Sequence, residues 1–142
     1  MEIWELVARE RIRDTLARYN WSGDSARVDD LTAAFTADGE LEVRSMTTVK
    51  GRNAIAGFLG GVVTAPAEPG SKRIVRHALT NIRFTEVTPE RAQVSSYFTV
   101  FTEIGLDHYG RYRDIFVPSG DDWLIQSRFV ATDWSAPNST MT

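Results

Sequence analysis

Cysteine is missing from the chain altogether. Its absence excludes a thiol nucleophile, an iron–sulfur cluster, a thiolate zinc site and any disulfide framework. Histidine is almost as scarce, with two in 142 residues. A dedicated transition-metal site would need carboxylates at spacings the sequence does not supply, so no metal and no other cofactor is expected. No apolar run of about eighteen residues is present to span a membrane. The N-terminus carries Glu2 and Glu5 in a charged segment, unlike a secretory leader. Positive charge is not in excess either: sixteen Lys and Arg face nineteen Asp and Glu, a net −3 without a basic block. Nucleic acid and membrane are therefore not expected partners. Gly57-Phe58-Leu59-Gly60-Gly61 has the wrong spacing for a dinucleotide fingerprint and lies in or at the end of a helix. P-loop, HExxH and GxSxG patterns do not occur. These absences leave a soluble, cytoplasmic domain that works without a cofactor.

What is present suffices for one core. The length is that of a single domain, and 42% hydrophobic with 11% aromatic residues is a globular composition. Trp4, Ala8, Ile12, Leu16 and Tyr19 recur at helical spacing, with Arg9, Glu10, Arg13, Asp14 and Arg18 on other faces. Ser22-Gly23-Asp24-Ser25 breaks that helix. A shorter helix is expected over Val28, Leu31 and Phe35, then a turn at Ala37-Asp38-Gly39 into a strand over Glu40–Arg44, with Thr47–Val49 as its hairpin partner. Gly51-Arg52-Asn53 opens a third helix with Ile55, Phe58, Leu59 and Val62 on one stripe. Residues 60–72, holding Gly60, Gly61, Pro66, Pro69 and Gly70, read as a surface loop or lid. Four strands follow at about 73–86, 91–103, 108–117 and 123–131, with turn chemistry at Thr88-Pro89-Glu90 and Ser119-Gly120-Asp121. Residues 1–134 form the domain and 135–142 a flexible polar tail. Helices first and a long antiparallel meander after is an α+β order, in which the sheet curls around the helices and leaves a pocket.

His77 shares a strand face with Val75 and Leu79. An imidazole lining an apolar cavity is a candidate base, because it alone titrates near neutrality unperturbed; the alternative is a core histidine satisfied by its neighbours. His108, beside Gly105 and Asp107 at a hairpin, is expected to be exposed. Asp24 reads either as a turn residue or N-cap of the second helix, or as the carboxylate that fixes an imidazole tautomer. Tyr19 faces the core, where its hydroxyl needs an acceptor or a ligand. Asp114 shares a strand face with Tyr112 and Phe116, and is either paired with Arg128 or part of a site.

Together these residues resemble a known family. Leu16-Ala17-Arg18-Tyr19, then Asp24, the run Val28–Gly39, Gly51, His77-Ala78-Leu79-Thr80-Asn81, Gly110-Arg111-Tyr112-Arg113-Asp114 and Trp123-Leu124-Ile125-Gln126-Ser127-Arg128 are similar to the SnoaL-like branch of the nuclear transport factor 2-like superfamily. The resemblance spans about residues 3–133. It implies a strongly curved, mixed but mostly antiparallel sheet, wrapped with three N-terminal helices into a cone with an internal pocket, a cystatin-like α+β roll. The combination of Tyr19, Asp24 and His77 resembles the lyase branch (scytalone dehydratase, bile-acid dehydratase and hexachlorocyclohexane dehydrochlorinase), where an Asp–His dyad removes a C–H proton as a leaving group departs. The resemblance departs at Thr102, where scytalone dehydratase has a second pocket histidine, and at Val43, where ketosteroid isomerase has its aspartate base. Polyketide cyclases of this fold use a carboxylate base from the sheet, to which Asp114 is a loose match.

The resulting expectation is a cofactor-independent lyase, isomerase or cyclase acting on a small apolar cyclic substrate of steroid, terpenoid or polyketide type. His77 is the expected base, Asp24 its orienter and Tyr19 a hydrogen-bond donor. Phe35, Phe58, Phe98, Tyr112, Asp114, Phe116 and Arg128 are the expected substrate-binding residues. The rival expectation is a non-catalytic module of the same fold that binds a ligand or a partner subunit. Tyr97, Phe101, Tyr109 and Ile115 lie on the opposite sheet face, and with them a homodimer or homotrimer is expected.

Overall fold

The first helix, α1 (Ile3–Asp24), follows from its apolar positions: Ala8, Ile12, Leu16 and Tyr19 turn one face inward and are all buried. Thr15 adds a polar anchor, its hydroxyl donating to the Trp123 carbonyl at 2.6 Å. Ala26 takes a left-handed φ of 57° and turns the chain into α2 (Val28–Thr32). The remaining elements are β1 (Phe35–Val43), β2 (Thr47–Lys50), α3 (Arg52–Val63), β3 (Val75–Val87), β4 (Ala92–Thr102), β5 (Gly105–Ser119) and β6 (Asp122–Ser135). This computed structural model describes residues 1–63, 74–139 and 141. Among those residues no helix is long and apolar enough to cross a membrane.

The six strands form one open, mixed sheet in the order β2-β1-β6-β5-β4-β3. Only β1 and β6 run parallel; the other neighbours are antiparallel. The helices cover one face. Inward residues such as Leu41, Val94, Val100, Phe116 and Ile125 join α1, α2 and α3 in a single core. The opposite face stays open, with Tyr97, Phe101, Tyr109 and Trp134 exposed.

Several local expectations give way to the packing. Phe35 does not continue the second helix but begins β1, fully buried and paired with Ile125. Residues 37–39 fall inside β1, where the pairing with β6 shifts register between Phe35 and Glu40. The third helix runs on through Gly60 and Gly61 to Val63; the rest of the expected loop, from residue 64, lies outside the described residues. The segment read as a flexible tail is bonded over its described part. The Ala136 amide donates to the Asp107 carbonyl at 2.8 Å, and the Ser139 hydroxyl to the Asp107 carboxylate at 2.5 Å.

Asp114 and Arg128 face each other across β5 and β6 in a fully buried bidentate pair, at 2.8 and 2.9 Å. Burial opposes the guanidinium's charge, but the adjacent carboxylate outweighs it and keeps Arg128 firmly protonated. The guanidinium also lies over the rings of Tyr19 and Tyr112, at 4.2 and 3.8 Å, so the pair ties α1 to the sheet. Removing one partner strands the other charge in the core. Asp114→Ala is expected to cost about 3–5 kcal/mol of folding stability, measured by urea denaturation; a loss under about 1 kcal/mol, the ceiling for most exposed ion pairs, would contradict this reading.

Candidate active site

Asp24 is the last residue of α1, and β3 is an edge strand of the sheet. An edge strand presents backbone N–H groups with no ladder partner. Asp24 takes one of them: its Oδ2 accepts from the His77 amide at 3.0 Å. Its Oδ1 lies 2.6 Å from His77 Nδ1. One carboxylate therefore fixes both the backbone and the ring of His77. A carboxylate only accepts, so Nδ1–H donates to it, and in the neutral ring Nε2 then keeps its lone pair. The two side chains are only 19% and 12% exposed. Asp24 does not cap α2, whose N-cap position is Arg27 and has no side-chain cap.

His77 and Asp24 stand in the wall of a cavity of about 800 Å³. That volume lies within the range of about 300–1,000 Å³ usual for small-molecule sites. Its lining is largely apolar, with Leu41, Phe58, Leu59, Val75 and Phe98 among it. A smaller pocket of about 350 Å³ between α1 and β3 is also bordered by His77 and Asp24. Tyr19 reaches the main cavity too. Burial raises its phenol above the ordinary value, against the opposing pull of Arg128, so the hydroxyl stays protonated. Asn20 lines the same wall; its Oδ1 is buried without a hydrogen-bond partner among the described residues.

Of the expected substrate-binding residues, Phe58, Phe98 and Tyr112 line the cavity. Phe35, Phe116, Asp114 and Arg128 do not. Phe35 and Phe116 are fully buried in the core, and Asp114 and Arg128 form a bidentate pair against Tyr19 and Tyr112, with Arg128 Nη1 buried without a hydrogen-bond partner among the described residues. Strand parity placed Asp114 and Phe116 correctly inward, but inward here includes a packed layer below the pocket.

His108 is the residue the sequence reading misplaced. It is 7% exposed and lines the cavity. Its Nδ1 lies 2.7 Å from Asp107 Oδ1. Adjacent strand residues normally point to opposite faces. A register shift in the β4–β5 pairing, between Val100 and Phe101, leaves Asp107 unpaired and turns both Asp107 and His108 inward. The Asp-His dipeptide was visible in the sequence; the bulge was not. Burial would raise the Asp107 carboxyl, but hydrogen bonds from Ser139, His108 and Thr102 outweigh it and hold it below its ordinary value.

A group held low in this way stabilises the fold above its unfolded value of 3.8 and loses that share as pH falls through the depressed one. Acid unfolding of Asp107→Asn is therefore expected to depend less steeply on pH below about 4 than that of the wild type. Parallel profiles for the two proteins would contradict the depressed value.

The profile of the SnoaL-like domain family matches residues 4–129. No curated protein sequence matches significantly. Solved structures share the fold: a candidate scytalone dehydratase from Novosphingobium aromaticivorans has a TM-score of 0.78 and 23% identity, over 92% of this chain and 87% of that one. A Nostoc punctiforme protein of unknown function with a cystatin-like fold gives 0.77 and 20%, over 94% and 95%. ActVI-ORFA from Streptomyces coelicolor gives 0.76 and 20%, over 88% and 96%.

Proposed function

We propose, from the premise that this chain belongs to the SnoaL-like domain family, that it is a cofactor-independent lyase removing a carbon-bound proton from a small apolar cyclic substrate. Family membership and the dehydratase-type neighbour support a small-molecule-converting enzyme. The observation that carries the finer reading is the Asp24 carboxylate 2.6 Å from His77 Nδ1 in the wall of an apolar cavity. A binding module would need no such oriented imidazole. A base for carbon acids must be held close to the proton and shielded from water. His77 Nε2 is the free lone pair, Asp24 fixes the ring and stabilises the imidazolium that forms, and the Tyr19 hydroxyl serves developing negative charge on a carbonyl oxygen.

Bicyclic ketones with a hydroxyl on the β carbon are suitable probes, because elimination creates an enone that absorbs in the ultraviolet. His77→Gln is expected to lower kcat/KM at least about a hundredfold, the low end for general-base contributions. Asp24→Asn keeps the shape, loses the charge and favours the wrong tautomer, so it is expected to be severely impaired yet folded. Tyr19→Phe is expected to be milder, losing one hydrogen bond to developing charge. A His77→Gln enzyme with wild-type kcat/KM would overturn the assignment.

Assembly belongs to the same reading. Tyr97, Phe101, Tyr109 and Trp134 put aromatic rings on the uncovered sheet face, with Tyr109 and Trp134 stacked at 5.5 Å. Contiguous apolar surface of this kind marks an interface. The chain forms a homo-oligomer through the sheet face. Sedimentation at micromolar concentration is expected to give a multiple of 15.9 kDa; a monomer would contradict it.

A further inference from the structure

The pocket of about 350 Å³ between α1 and β3 has no part in the chemistry assigned to the main cavity. Asn20, Asp24, Ser25 and His77 border both spaces and form the partition between them. Arg13, Leu16, Trp21, Arg76, Leu79 and Ile82 belong to the smaller space alone. Its volume reaches the range usual for small-molecule sites.

Spacing along α1 sets the order of the groups. Arg13, Asn20 and Asp24 follow one another seven and four residues apart, about 10 and 6 Å along the helix axis. Positive charge prevails in the lining. Arg13 and Arg76 make no ion pair among the described residues, yet both are held in place. The Arg13 guanidinium lies 5.1 Å from the centroid of the Phe84 ring, and Arg76 Nη1 donates to the Val75 carbonyl at 2.8 Å. The single carboxylate of the lining, Asp24, has both oxygens on His77.

Between the charged ends the surface is apolar. Leu16, Leu79 and Ile82 supply it, and the Trp21 side chain lines it while the residue stays 72% exposed. Asn20 is 6% exposed, and its Oδ1 has no hydrogen-bond partner among the described residues. A buried acceptor left unmet is costly. A donor on a ligand would meet it.

We propose that this pocket is a binding site in its own right, for a small aryl carboxylate that carries a hydroxyl or N–H donor on its ring. The carboxylate pairs with Arg13, at the end of the pocket away from Asp24. The ring lies against Leu79 and the Trp21 indole, and its donor reaches Asn20 Oδ1. Arg76, next to His77 in the chain, offsets the charge of Asp24. His77 borders both spaces, so an occupant here changes the surroundings of the dyad without entering the main cavity.

The probe is 3-(4-hydroxyphenyl)propionate, titrated into the full chain while nitrogen-resolved NMR follows the indole and imidazole rings. Trp21→Phe assigns the indole signal. Saturable shifts are expected at Trp21 and His77 and none at His108, which lines only the main cavity. Affinity is expected to fall at least about tenfold for the methyl ester, which lacks the charge, and about fivefold for 3-phenylpropionate, which lacks the donor. Arg13→Gln, at an exposed position, is expected to lose as much as the ester does. Shifts at His77 and His108 with Trp21 unmoved would put the probe in the main cavity and overturn the proposal. Equal binding of acid and ester would overturn it too, as would full affinity in Arg13→Gln or no saturation below about 10 mM.

Discussion

One carboxylate at the end of a helix organises this molecule. Asp24 accepts from the amide and lies against the ring of the same histidine, and it does so where the sheet leaves an edge strand unpaired. An unmet backbone donor at partial burial costs about 1–3 kcal/mol, so the contact serves the fold as well as the site. It also ties α1, which spans the sheet face, to the rim of the cavity. Any movement of α1 against β3 therefore changes the orientation of His77. Stability and the proposed chemistry share one interaction.

Several charged groups around the cavity are paired with one another. Arg128 and Asp114 neutralise each other below the wall formed by Tyr19 and Tyr112. Asp107 is satisfied by Ser139 and Thr102 besides His108, and the chain continues to Met141 at the cavity lining. The polar side chains at the lining are the two imidazoles, Tyr19 and Asn20, with Asp24, Ser25, Arg44, Ser45, Thr132 and Ser135. Apolar walls with a few convergent polar groups are the usual form of a small-molecule site.

Much of this was legible in the residues themselves. The stripe from Ala8 to Tyr19 located α1, and alternation along residues 75–79 placed His77 inward. The resemblance paired Asp24 with His77 across 53 positions, a distance no local pattern spans. Three things were illegible for physical reasons. The bulge at Asp107 reverses strand parity, and nothing in Gly105-Leu106-Asp107-His108 announces it. The depth of the core was invisible, so Phe35 and Phe116 passed for cavity walls. The hold of Asp107 on the C-terminal segment depends on Ser139, which composition alone marks as loose tail.

The central claim is that His77 presents an unprotonated Nε2 to the cavity because Asp24 holds the proton on Nδ1. Ring-nitrogen NMR of the labelled histidines reads that tautomer without a substrate. The neutral His77 ring is predicted to carry its proton on Nδ1 in the wild type and to lose that preference in Asp24→Asn. A His77 ring protonated at Nε2 in the wild type would contradict the account.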